Sequence, residues 1–196
     1  ITLSELAPAL RKQIRYRVSG SENADDIAEG REQALAVVKG KSVAELKQAC
    51  REIVDNRMLE KSYADTIELA AMHLAAGQQV WLVSATPVQI GQALAETLGF
   101  TGALGTVAEE KDGKFTGRLV GDILHGPGKK HAVAALAALQ QLDLSKCTAY
   151  SDSINDLPML EMVGSPVAIN PDRALRKHAK AQGWAVRDYR SMRRVV

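Results

Sequence analysis

Cysteine is scarce: Cys50 and Cys147 are the only two in 196 residues. They are too few and too far apart to form a disulfide framework, which points to a reducing, cytoplasmic setting. Aromatic residues make up 4% of the chain, so the core must be filled by Ala, Leu and Val, as in helix-rich and α/β proteins. Neither sign of charge dominates. The 25 basic and 23 acidic residues leave a net +2, which excludes a supercharged nucleic-acid coat or an acidic disordered tail. No apolar run approaches the roughly 18 residues of a membrane span, and no signal peptide is recognisable. His73, His125, His131 and His178 lack the spacing of zinc ligands. No G-x-G-x-x-G follows a predicted strand, which argues against a nucleotide-binding oxidoreductase. Repeats, low-complexity tracts and flexible linkers are also missing.

What is present fits one domain, or one domain carrying an insertion, because 196 residues is roughly 1.3 times a typical domain. The first sixty residues read as helices. A stripe of Ile27, Ala34, Leu35 and Val38 stops at Gly40, and Ser42 with Glu45 forms a capping box before Leu46, Ala49, Ile53 and Val54. Asp65 and Glu68 repeat the device ahead of Ile67, Ala70, Ala71 and Leu74, with Gly77 as the stop. The character then changes to short apolar runs alternating with helical ones, the signature of β-α-β units and a parallel sheet. Strands are predicted at 80–83, 147–150, 167–169 and 184–186. Helices follow from Thr86 as N-cap with Pro87 in its first turn, from about 129 to 141, from near Asn155, and from the Asn170-Pro171 cap to Gly183. Lys111-Asp112-Gly113 between residues 106–110 and 114–120 is a hairpin signal, since Asp-Gly tolerates the positive φ of such turns.

In an open parallel sheet ligands bind beyond the carboxyl ends of the strands. The first strand runs into Ser84-Ala85-Thr86-Pro87, which either presents a hydroxyl and backbone N–H groups to an anion at a helix N-terminus or simply caps the helix through Thr86. A later strand runs into Ser151-Asp152-Ser153-Ile154-Asn155-Asp156. A capping turn needs one acidic residue. Two carboxylates four residues apart repel unless a cation compensates, and they are hard oxygen ligands of the kind Mg2+ prefers. Between them, Gly126-Pro127-Gly128-Lys129-Lys130 puts lysine where it opposes the helix dipole, so a phosphoryl group is one candidate beneficiary and a solvated lysine pair the other. The basic end Arg187, Arg190, Arg193 and Arg194 is interrupted by Asp188 and has no aromatic platform, so no nucleic-acid partner is expected.

In this order, Ser84 after a strand, Lys129 before a helix, and Asp152 with Asp156 after a later strand resemble the second, third and fourth motifs of the haloacid dehalogenase superfamily. SDSINDLPML, PVAINPD and the following GW resemble its phosphoserine phosphatase-like subfamily over residues 25–188. The resemblance implies a Rossmann-like parallel sheet, a helical cap at 1–65, a core at 66–196 and a hairpin flap near 105–121. It makes Lys129 the catalytic lysine that neutralises charge beside the phosphate. Ser84, Ala85, Thr86 and Asn155 become substrate-phosphate contacts, Asp152 a Mg2+ ligand and Asp156 a carboxylate of the metal shell. The substrate implied is a small phosphomonoester. The family's aspartate nucleophile lies in a DxDx[TV] motif on the first core strand, and these 196 residues contain no such motif. Because the chain opens at Ile1, the expectation is that this strand lies upstream. The alternative is a noncatalytic phosphate-binding or interaction protein that kept the site and lost the nucleophile. Aligning the cap helix of phosphoserine phosphatases puts Ala34 where they carry an arginine for the substrate carboxylate, with Arg31 three residues earlier. The oligomeric state is not legible.

Overall fold

The computed structural model describes residues 24–189. The start of the expected cap and the basic residues Arg190, Arg193 and Arg194 lie outside them. Helix α1 (Ala24–Val38) leads to α2 (Val43–Ile53), which opens as expected at Ser42, whose Oγ accepts the Glu45 N–H at 3.4 Å. The inward stripe of α2 buries Leu46, Ala49, Cys50 and Ile53. A π turn (Val54–Met58) and a 3-10 turn (Leu59–Lys61) connect it to α3 (Ala64–Ala75). Here the expected Asp65 cap is corrected. The residue before α3 is Tyr63, and the Thr66 hydroxyl donates to its carbonyl at 2.7 Å, so Asp65 already lies inside the helix.

Strand β1 (Trp81–Pro87) pairs in parallel with β2 (Gly102–Thr106), and α4 (Val88–Leu98) crosses between them. Sequence reading put Thr86 at the helix cap and Pro87 in its first turn. Instead Pro87 keeps extended backbone at ψ 135, the helix waits until Val88, and Thr86 turns its hydroxyl back onto Ser84. The hairpin is as expected: β3 (Ala108–Lys111) and β4 (Lys114–Leu119) are antiparallel around Asp112 at φ 52 and Gly113 at φ 73, both left-handed. It docks on α2. Val43 N–H donates to Gly113 O at 3.0 Å, and Phe115, 2% exposed, packs with Val43, Leu46 and Cys50. The same burial pushes the Cys50 thiol up to about 11.

Helix α5 (Pro127–Leu139) precedes a second parallel sheet in the order β5 (Thr148–Ser151), β6 (Ser165–Ile169), β7 (Ala185–Arg187). A 3-10 turn (Ile154–Asp156) and the single-turn α6 (Leu157–Leu160) connect β5 to β6, and α7 (Arg173–Ala181) connects β6 to β7. Leu160, Ala168, Leu175 and Ala179 form a fully buried cluster within this unit. Cys147, expected inside the strand, falls just before β5 and is half-buried. Its Sγ lies 3.3 Å from Asp143 O, an interaction of the preceding turn rather than of the sheet. The α7 cap is Asp172, not Asn170-Pro171, because Asn170 adopts φ 44 and uses its Oδ1 to accept the Tyr189 N–H.

The expected single open sheet appears as two parallel sets, and no pairing joins β1 to β5 among the described residues. No helix of the described residues is long and apolar enough to cross a membrane.

Candidate active site

The carboxyl end of β5 carries the densest polar arrangement. Ser151, the last strand residue, is buried, and its Oγ donates to Asp156 Oδ2 at 2.7 Å. The same Oγ accepts the Ser153 N–H at 3.1 Å, which folds the chain back over the strand end. Asp156 Oδ1 meets Lys129 Nζ at 2.7 Å, with side chains only 13% (Lys129) and 11% (Asp156) exposed. A buried carboxylate is costly unless paired and hydrogen-bonded, and here both oxygens are engaged. Lys129 reaches this position because Gly126, at φ 49, turns the chain sharply into α5. The neighbouring Lys130 is exposed. The two adjacent lysines, of which the family resemblance favours Lys129, thus stand in different environments.

Asp152 lies at the same strand end and is exposed, while Asn155 is half-buried, its N–H donating to Ser153 Oγ at 3.3 Å. At the end of β1, Ser84 Oγ accepts from Thr86 N–H at 3.2 Å and from Thr86 Oγ1 at 3.0 Å. Ala85 uses its carbonyl to accept the Thr106 hydroxyl at 2.8 Å, and Thr106 in turn accepts the Leu124 N–H, so β1, β2 and the approach to α5 are tied together. The structure thus brings Lys129, Asp156 and the Asp152 turn into one cluster, and groups Ser84, Ala85 and Thr86 at a second strand end. No hydrogen bond joins the two groups among the described residues; α5 approaches both β1 and the 154–156 turn.

A divalent cation fits the exposed Asp152 as a hard oxygen ligand. The oxygens of Asp156 already hold an ammonium and a hydroxyl, which suits it to the shell around an ion. No group of three or more His, Cys, Asp or Glu among the described residues forms a complete cage. Mg2+ does not require one, since it commonly retains several waters and takes one or two carboxylates. Sequence reasoning missed two residues. Ser151 carried no signal beyond being a small polar residue in a strand. Asp172, three residues before the apolar Leu175, has the spacing of an N-cap, but the adjacent Asn170-Pro171 carries the same local signal.

With this geometry established, comparison with known proteins gives the family. Residues 2–161 match the haloacid dehalogenase-like hydrolase family. The chain belongs to it. Phosphoserine phosphatase SerB1 of Mycobacterium tuberculosis is 53% identical over 195 residues, covering 100% of this chain and 63% of that protein. The chain therefore spans less than two thirds of that relative's length. A crystal structure of a Bordetella pertussis protein of unknown function is 30% identical with a TM-score of 0.77, over 94% of this chain and 81% of that one. A substrate-bound phosphoserine phosphatase structure, 19% identical, shares the fold with a TM-score of 0.63 over 97% of this chain and 85% of that one.

Proposed function

We propose that the chain is the larger part of a Mg2+-dependent phosphomonoester hydrolase of the phosphoserine phosphatase type, acting through an aspartyl-phosphate on a small phosphorylated metabolite in the cytoplasm. The observation that carries this reading is the half-buried Lys129 ammonium fixed by the buried Asp156 beside Asp152 at the end of a parallel strand. Phosphoryl transfer depends chiefly on positioning and charge neutralisation. Lys129 supplies a positive charge already oriented by its ion pair, so little reorganisation accompanies the arrival of a phosphate. Ser84 donates its hydroxyl proton to a phosphate oxygen, with Thr86 holding the side chain, and Asn155 contributes a further polar contact. Asp152 would hold Mg2+, which when bound neutralises charge on the phosphoryl oxygens.

The nucleophile in this proposal is an aspartate outside these 196 residues, on a strand between β1 and β5, whose facing edges are unpaired among the described residues. Residues 1–65 act as the cap over a core of 66–196. The 53% identical relative named phosphoserine phosphatase supports the reaction class. In alignment with the cap helix of phosphoserine phosphatases, Ala34 on α1 stands where an arginine selects the substrate carboxylate and cannot make its paired hydrogen bonds. Phosphoserine is therefore proposed as a secondary substrate, with Arg31, three residues earlier, as the alternative clamp, which the Arg31→Ala variant tests.

The test is phosphate release from p-nitrophenyl phosphate with Mg2+. The complete protein is expected to turn over, and Asp152→Asn in it to abolish the Mg2+-dependent rate without unfolding it. The 196-residue chain alone is expected to be inactive, and robust turnover by it would overturn the assignment of the nucleophile.

A further inference from the structure

The turn Ile154–Asp156 is a single 3-10 circuit, capped by Ser153 Oγ and closing through Asp156 N–H to Ser153 O at 3.1 Å, which leaves the Ile154 N–H to a partner outside it. Two bonds reach it or its flank from one residue in another element, and a third ties that residue to α7. Asp172 accepts the Ile154 N–H on Oδ2 at 2.8 Å, and its own N–H donates to the Asp152 carbonyl at 2.7 Å. Its Oδ1 accepts the Leu175 N–H at 2.7 Å, the cap of α7. Helix capping uses one side-chain oxygen. At Asp172 the second oxygen and the backbone N–H go instead to the turn. The anchor is firm, because Leu175 and Ala179 of α7 are fully buried.

We infer that Asp172 is a positioning residue that locks the Asp152–Asp156 turn to the first turn of α7, fixing the backbone from which the metal-side carboxylates project. This rests on the reading of Asp152 and Asp156 given above. Groups that orient metal ligands typically change affinity about 10–100-fold when removed.

In the complete protein, Asp172→Ser retains an N-cap oxygen for Leu175 but has no second oxygen for Ile154. Two readouts separate the roles: exchange of the Ile154 amide in metal-free protein, and Mg2+ binding by calorimetry. Asp172→Ser is expected to keep a near-native Tm, to speed Ile154 exchange on the order of tenfold, and to weaken Mg2+ binding by about tenfold or more. Asp172→Asn, with one acceptor for two N–H partners, gives the same pattern should the Ser variant fail to fold. Unchanged Ile154 protection and unchanged Mg2+ affinity in a folded variant would overturn the inference. Wild-type protein that binds no Mg2+ overturns the proposed function instead, and Ile154 exchange still decides whether the tie exists.

Discussion

The two parallel sheets differ in how they are closed. Around β5, β6 and β7, four side chains of one cluster, Leu160, Ala168, Leu175 and Ala179, are wholly buried. Around β1 the helix α4 buries only Gln89, Gly91, Ala93 and Ala95, and α3, despite Ile67, Leu69, Met72 and Leu74, contains no buried residue. Burial, not composition, generates the hydrophobic contribution. The C-terminal unit therefore supplies a densely packed base, and Lys129 on α5 is paired to it through Asp156. One further link crosses from the open side: His73 Nε2 of α3 lies 2.7 Å from Tyr150 Oη of β5, and burial pushes the Tyr150 phenol up so that it stays protonated.

The largest test of the contrast is Gly164→Ala. A Cβ built there would sit 1.7 Å from the Ser145 carbonyl oxygen, a backbone atom that cannot swing aside. A loss of more than about 4 kcal/mol is expected in denaturant unfolding, and a near-native stability would show the closed unit to be far more pliable than its packing implies. Next is Lys129→Ala, which strands a buried carboxylate. It should cost about 3 kcal/mol and remove most activity of the complete protein, whereas exposed Lys130→Ala should change neither appreciably. A severe Lys130 defect beside an active Lys129 variant would reverse the assignment of the catalytic lysine. Third is a matched pair of truncations. Leu175→Ala in the closed unit should cost about 3 kcal/mol, and half-buried Leu74→Ala on α3 less than about 1 kcal/mol. Equal losses would erase the distinction between the two regions.

The same contrast explains what the sequence made legible. Periodicity found α2, and its stripe is buried because α2 meets a partner in the hairpin, through Phe115. The equivalent stripe on α3 was predicted just as readily. It is not buried, because periodicity records which face is apolar and not whether anything covers it. Asp112-Gly113 was readable because a two-residue turn is a local problem in φ. Caps were less so: Thr86, Asp65 and Asn170 each had suitable chemistry, yet the backbone chose Pro87, Tyr63 and Asp172. In the site, residue types and spacing nominated Asp152 and Asp156 and left the Lys129-Lys130 pair open, and the family resemblance singled out Lys129. That Lys129 and Asp156 pair, with Ser151 behind them, is a long-range fact no local pattern contains.

The smallest effect concerns the hairpin, which packs on α2. The Thr116 hydroxyl donates to Glu109 Oε2 at 2.5 Å, and Arg118 Nε donates to the same oxygen at 2.9 Å. The Thr116 hydrogen bond first, then that of Arg118, holds the Glu109 carboxyl below the usual glutamate value. A carboxylate lowered in the folded state adds stability that is fully present above its unfolded value, about 4.3, and is lost as pH falls through the folded value. The group is exposed, so solvent screens the interaction and the gain is small. Glu109→Gln should therefore lower Tm slightly at neutral pH, and the gap from wild type should shrink as pH falls below about 4. In a carboxyl NMR titration, Glu109 should reach its midpoint below the ordinary glutamate value. A midpoint at or above that value, with a Tm gap constant across the same range, would mean that the two donors do not hold the hairpin in solution.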